Sequence, residues 1–409
     1  MTTELRVLQP DEGDAWYGKL ERAFGEEESA EERAMWRELM EPGRSLAAWD
    51  DDEIVGTAGA FSFGLTVPGG ASVPAAGVTM VSVQPTHRRR GVLRAMMRRQ
   101  LDDVRERGEP LAMLTASEPA IYGRFGYGAA TQEMRIKVDT TRVAEPDLPG
   151  SDDVRLRLKE PAEALAACEA VYARTVAGRA GMLVRPPGWD RMMILDPEDD
   201  RDDDEGPLQC VVAEAGGEVC GYARYAVVAD WSDAGPQGTV RVWDLTATDP
   251  VVGAALWRYL FGIDLTTYVT ARNLPVDDPL LHLVEDMRRC LIGLREAAFV
   301  RPVELGAALA ARTYQRPVDT VLEVADPFCP WNEGRWRLSG DGTGATCERT
   351  TDPAELALSV RELSSAYLGG FTLSALAGAG RVRELRPGAL AAASVAFGTD
   401  VAPWLPHEF

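Results

Sequence analysis

Apolar residues at Leu93, Met96, Met97, Leu101 and Val104 recur every three or four positions among arginines and aspartates. That spacing predicts an amphipathic helix with one buried stripe, opening at about Gly91. Just before it, the apolar run at 78–83 reads as a buried strand that stops ahead of Pro85, and 111–115 reads as a second strand beyond the helix. A strand, helix, strand crossover returns parallel and right-handed, so the carboxyl ends of both strands share one side. Ser117-Glu118-Pro119 then predicts a short helix with a serine cap and an early proline, ended by Gly123 and Gly126.

The pattern is used twice. Glu53-Ile54-Val55-Gly56-Thr57-Ala58 recurs as Glu218-Val219-Cys220-Gly221-Tyr222-Ala223, and each copy leads through strand-rich sequence to a strand followed by a helix. A polar, turn-rich stretch at 144–152 reads as the linker between the copies. After about Phe299 the character changes: an alanine-rich helix at 301–313, a strand at 318–324, a hairpin at 334–347 broken at Gly340-Asp341-Gly342, and mostly helical turns at 355–385. The expected organisation is therefore α/β twice and then α+β, over segments 1–146, 147–298 and 299–409. The chain ends Ala402-Pro403-Trp404-Leu405-Pro406-His407-Glu408-Phe409, a stiff and packable tail.

Chemistry concentrates where the first strand meets its helix, at Val81-Ser82-Val83-Gln84-Pro85-Thr86-His87-Arg88-Arg89-Arg90-Gly91-Val92-Leu93-Arg94. The first N–H groups of a helix lack internal partners, and a glycine there lets an anion approach them. Arginines add charge and forked donors to phosphate oxygens, so the loop suits a diphosphate. A solvated basic turn is the plain alternative. The spacing matches neither Gly-x-x-x-x-Gly-Lys-Ser/Thr nor Gly-x-Gly-x-x-Gly. The second copy reads Asp249-Pro250-Val251-Val252-Gly253 at the same place, where an acid without arginines would repel phosphate.

Length and charge narrow the classes. With 409 residues and 45% hydrophobic content the chain can bury a large core in two to four domains. A net charge of −21 disfavours nucleic acid and suits a cationic partner, although solubility alone explains an acidic surface. The run at 196–205, with eight acids in ten residues, reads as a solvated loop. Six scattered cysteines form no C-x-x-C pair, so neither a metal site nor a disulfide framework is expected. No membrane span and no secretory signal are visible in the sequence, and the expected location is the cytoplasm.

The loop at 85–96, together with Ala-Ser-Glu at 116–118, Ile-Tyr-Gly-Arg-Phe-Gly-Tyr-Gly at 121–128 and the terminal Glu-Phe, resembles the Eis family of the GNAT N-acetyltransferase superfamily. Leu93 stands where most of the superfamily carries Gly or Ala. The resemblance implies two tandem GNAT-fold domains, the second degenerate, followed by a sterol-carrier-like domain, and a homohexamer. It implies acetyl-coenzyme A as co-substrate and an amine acceptor: an aminoglycoside, a polyamine or a lysine side chain. Val81, Ser82 and Val83 would pair with the pantetheine arm as an added strand does. Arg89, Arg90, Gly91, Val92, Leu93 and Arg94 would take the diphosphate, with Ser117 and Glu118 on the other side.

Acetyl transfer to an amine needs a base, an oxyanion stabiliser and a donor for the departing thiolate. The resemblance makes Tyr122 the acid and the Phe409 carboxylate the base. Tyr127 is a rival acid, and His407, with an ordinary pKa of about 6.5, a rival base. A free α-carboxyl, near 3.5, is a weak base unless it is desolvated. His87 reads as a residue that positions the loop. For the acceptor, the resemblance points to Glu26, Trp36, Met80 and Glu408, acids beside an aromatic wall that suit an ammonium group. A sensor or carrier that binds acetyl-coenzyme A or a lipid without turnover is the alternative from another class.

Overall fold

The structure, a computed structural model, describes residues 3–25 and 28–409. Its first sheet opens with β1 (Glu4–Val7), β2 (Leu46–Asp50), β3 (Glu53–Thr66), β4 (Ser72–Val83) and β5 (Leu111–Thr115), hydrogen-bonded in that order. Two helices, α1 (Gly13–Phe24) and α2 (Ala30–Leu39), link β1 to β2. Between β4 and β5 runs α3 (Val92–Glu106), with Gly91 as its N-cap at φ 88°, and β4 and β5 are parallel as the crossover predicts. Met96, Met97, Leu101 and Val104 are buried; Leu93 is only half-buried, and Val92 takes its place in the core.

The sheets do not respect chain order. Beyond β6 (Gly128–Ala129), β7 (Gln132–Asp139) leaves the first sheet and lies in the second, between β16 (Gly293–Glu296) and β15 (Thr266–Leu274). In return β17 (Ala298–Pro302) inserts antiparallel between β5 and β6 of the first sheet. The second sheet is completed by β14 (Gly238–Ala247), β11 (Glu218–Val228), β10 (Gln209–Ala215) and β8 (Arg155–Lys159). It carries α4 (Pro161–Val176) and α5 (Pro250–Phe261), and a small ribbon of β12 (Trp231–Ser232) and β13 (Gly235–Pro236) links β11 to β14, while the short β9 (Leu183–Val184) pairs with β3 of the first sheet. The sequence repeat thus marks equivalent strands, β3 and β11. At the head of α5 the side chain of Asp249 accepts from Val251 N at 2.7 Å, so the helix terminus that a phosphate would need is capped from within.

The third unit is a five-stranded sheet with short helices. The alanine-rich segment at 301–313 is not one helix. Arg301 and Pro302 finish β17, and only Leu305–Ala310 is helical. Arg301 is wholly buried and ion-pairs with buried Asp326 at 2.8 Å, which fixes this residue in the sheet and not on a solvated helix face. The stretch at 355–385 also differs from expectation, since its helices Val360–Ala366 and Leu373–Gly378 are flanked by strands Leu356–Ser359 and Val382–Glu384. The acidic run is partly structured: Asp196 pairs with Arg201, and Asp202 and Glu205 pair with Arg241.

Candidate active site

Strands β4 and β5 pair only over Ala75–Gly77 and Leu111–Met113. Past that point β4 continues through Val83 without β5, and the two strands splay apart. A bulge sharpens the divergence. Thr57 faces Ser82 and Gly59 faces Thr79, so Met80 and Val81 together oppose Ala58. Met80 takes φ 54°, costly for a residue with a side chain and typical of functional backbone. The bulge is pinned because Thr57 Oγ1 donates to the Met80 carbonyl at 2.8 Å and lies 2.7 Å from the hydroxyl of buried Ser82.

The gap opens into a cleft of about 1120 Å³. One small-molecule site usually occupies ~300–1,000 Å³, so two partners fit side by side. Its basic end is lined by His87, Arg88, Arg89, Gly91, Val92, Leu93 and Arg94, and Arg124 faces it from the opposite wall. Arg90 departs from expectation: it is exposed and is not among the residues that line the cleft. His87 has both ring nitrogens engaged, with Asp50 at 2.9 Å and Thr86 at 2.8 Å, in keeping with a loop-positioning role.

Val81, Ser82 and Val83 form the floor, and Ser117, Glu118 and Tyr122 stand across from them. Ser117 does not cap the short helix: its first residue is Pro119, and Glu118 occupies the cap position without a side-chain bond. Burial, reinforced by Glu118, pushes the Tyr122 phenol up to about 12, so it is protonated at neutral pH. Tyr127 meets Tyr122 edge-on at 6.1 Å but is fully buried outside the lining, and among the described residues its hydroxyl has no partner.

The other end of the cleft is acidic and aromatic. Trp36 and Met80 line it together with Glu408 and Phe409. Trp36 stacks on Phe61 at 6.0 Å and meets Trp189 edge-on at 6.1 Å. The Phe409 ring rests edge-on against Phe63 at 5.0 Å, and the Phe409 backbone oxygen accepts from Thr79 Oγ1 at 3.1 Å. A glycine at 77 is what admits this ring, for a Cβ there would lie 3.1 Å from Phe409 Cε2 and 2.4 Å from the Phe63 ring. Glu26 lies outside the described residues.

Two acids that the sequence reading missed, Glu21 and Glu28, line the cleft. Tyr17 donates its hydroxyl to Glu28, and burial raises the pKa of that carboxyl. Their signal was an acidic pair on a helix and its exit, which reads as a solvated face. His407, the rival base, is 5% exposed, outside the cleft lining, and pushed down to about 3 by burial and then by Arg185. It is neutral, and Arg185 occupies its unprotonated nitrogen at 3.2 Å. Among the described residues no cluster of three or more His, Cys, Asp or Glu is placed to hold a metal ion, and no helix is long and apolar enough to cross a membrane.

Residues 4–130 and 181–302 each match an acetyltransferase (GNAT) domain family, and residues 305–406 match a sterol carrier protein domain. These are the two kinds of fold expected, in the expected order. An uncharacterized N-acetyltransferase of Streptomyces avermitilis is 63% identical over 410 residues, covering 100% of both chains. The N-acetyltransferase Eis of Mycobacterium tuberculosis is 35% identical over 400 residues, covering 93% of this chain and 92% of its own. The crystal structure of Eis1 from Mycobacterium abscessus superposes with a TM-score of 0.84 at 35% identity, covering 100% of each chain.

Proposed function

Because the chain belongs to the Eis family of GNAT N-acetyltransferases, we propose that it moves an acetyl group from acetyl-coenzyme A directly to a primary amine of a cationic acceptor, with both held in the one cleft. Membership makes it an N-acetyltransferase and not a passive carrier. GNAT enzymes use acetyl-coenzyme A, and the residues present fit it. The supporting observation is the polarity of the cleft: arginines and a helix N-terminus at one end, carboxylates on an aromatic wall at the other.

In this reading the N–H groups from Gly91 to Leu93, with Arg88, Arg89 and Arg94, hold the diphosphate. The β4 edge at Val81–Val83, left without β5 as a partner, hydrogen-bonds the pantetheine arm, and Ser117 and Glu118 close the far side. When bound, acetyl-coenzyme A supplies a thioester carbonyl open to attack. Glu28, Glu408 and Trp36 hold the ammonium group of an aminoglycoside, polyamine or lysine side chain, with Glu26 carried over from the resemblance. The Phe409 carboxylate accepts the amine proton.

Tyr122 donates to the sulfur as charge gathers there. Handing over the proton outright from a phenol at about 12 to a thiolate of ordinary pKa about 8.5 would run roughly 5 kcal/mol uphill, so the hydrogen bond, not full transfer, is its first contribution. Assembly into the family's hexamer belongs to the same proposal. The exposed Met287, Leu291 and Leu294 beside β16 offer apolar surface for it, and the mass in solution tests it.

Coenzyme A release measured with a panel of amines tests the chemistry. Removing Phe409, and separately Tyr122→Phe, should lower kcat by about 10²–10⁴-fold while coenzyme A still binds. Undiminished turnover without Phe409 would refute the assignment of the base.

A further inference from the structure

The tail that delivers Phe409 is held by the second domain. After the last helix (Ala389–Phe397) no residue is in a helix or strand, yet the course is fixed. Ala402 N donates to Asp277 Oδ2 at 2.8 Å, Trp404 N to the Ala180 carbonyl at 2.8 Å, and the Trp404 indole to the Asn273 carbonyl at 2.5 Å.

His407 follows, between the rings of Tyr172 at 6.1 Å and Trp189 at 6.2 Å. Arg185 donates from Nε to His407 Nε2 at 3.2 Å. A guanidinium has no acceptor, so Nε2 carries the lone pair and the ring proton sits on Nδ1. That Nδ1 lies 3.3 Å from the Glu408 carbonyl and donates to it. Arg185 is itself fixed by Glu169 at 2.5 Å and lies 3.6 Å above the Tyr172 ring. One residue on, the Glu408 carboxylate meets Arg295 Nη2 at 3.1 Å, and Arg295 is anchored by Glu133, which is 2% exposed.

We propose that Arg185 and Arg295 are positioning residues for the reaction: Arg185 sets the peptide before Phe409 through the His407 ring, and Arg295 sets the Glu408 side chain, so that the terminal carboxylate is aimed at the amine. This rests on the reading of Phe409 as the base. Neither arginine lines the cleft. The degenerate domain, whose own helix terminus is closed by Asp249, thereby has a catalytic purpose as the clamp of the tail.

The test uses the full-length protein, with kcat from coenzyme A release and coenzyme A affinity from calorimetry. Arg185→Met and Arg295→Met should each lose about 100-fold in kcat, the scale of a displacement near 1 Å, with coenzyme A affinity unchanged. His407→Gln, whose amide can accept from Arg185 and donate to the Glu408 carbonyl, should stay within about threefold of wild type; His407→Leu should not. The Arg185→Met variant lacking Phe409 should turn over no more slowly than the wild-type sequence lacking Phe409, since residues acting as a unit are non-additive. A general folding defect would instead multiply the two losses, overturning the inference. If deletion of Phe409 abolishes turnover while both arginine variants keep wild-type kcat, the clamp is wrong and the base stands. If deletion of Phe409 leaves turnover intact, the base falls and the clamp with it.

Discussion

Lowering the pH from 7 to 5 should loosen the tail, and His407 sets the size of the effect. Held against Arg185, Tyr172, Trp189 and the Glu408 carbonyl, the ring has its pKa depressed to about 3 from an ordinary 6.5. A released tail binds a proton below about pH 6.5 that the docked tail refuses until about 3. Docking is therefore fully stable above 6.5 and loses stability as pH falls through that window. At pH 5 the released form gains about 2 kcal/mol over its standing at pH 7, a shift of roughly twentyfold to thirtyfold. Glu169, whose pKa is raised by burial, acts with the opposite sign, but it is present in wild type and His407→Gln alike. Hydrogen exchange of the peptide spanning 400–409, corrected for intrinsic rates, reads the opening directly. Wild type should open twentyfold to thirtyfold more at pH 5 than at pH 7, and His407→Gln should lack that difference. Equal acid sensitivity in the two proteins would refute the argument that a buried neutral histidine holds the tail.

Two further outcomes follow from charge placement. Arg89→Gln should weaken coenzyme A binding by about 1.5–3 kcal/mol, the worth of a charge-assisted hydrogen bond, and reduce its salt dependence, whereas Arg90→Gln, outside the lining, should leave calorimetric affinity within twofold of wild type. Arg301→Met leaves the buried Asp326 carboxylate with only the uncharged donors Cys329 N and Asn332 Nδ2 and should cost about 3–5 kcal/mol in urea unfolding, part of it recovered when Asp326 is also replaced by Asn, which keeps an acceptor for Cys329 N.

Features with a local cause were legible in the sequence. The α3 stripe follows from its period, its start from a glycine that tolerates φ 88°, and the repeat from six aligned residues. The strand exchange was not legible, because β7 and β17 show the same hydrophobic pattern whichever sheet receives them. Arg301 misled for a related reason: the alanines from 307 onward read as one helix starting at 301, and only the contact of Arg301 with Asp326, distant in sequence, fixes it in the core sheet. Glu21 and Glu28 were hidden by the same ambiguity of acids on helices. Phe409 and Tyr122 came from resemblance; no periodicity would have singled out a final carboxylate.

If Phe409 is the base, as proposed, the exchanged strands bear on how a group at a chain end could be held in place. A terminus is ordinarily the most mobile part of a domain, and each residue fixed costs about 1–2 kcal/mol of backbone entropy, so the contacts that order the tail must themselves be rigid. Those contacts lie on the second domain, at Ala180, Arg185, Asn273, Asp277 and Arg295, whereas the bound thioester would lie on the first. Any rocking between the two domains would carry the carboxylate off target. With β7 held by β15 over Met134–Asp139 and β17 held by β5 over Ala298–Pro302, each sheet contains a strand from a neighbouring chain segment, which ties the two domains together at adjacent points. On this proposal the interlock and the clamp are parts of one arrangement: the first holds the domains in register, and the second would carry that register to the last residue.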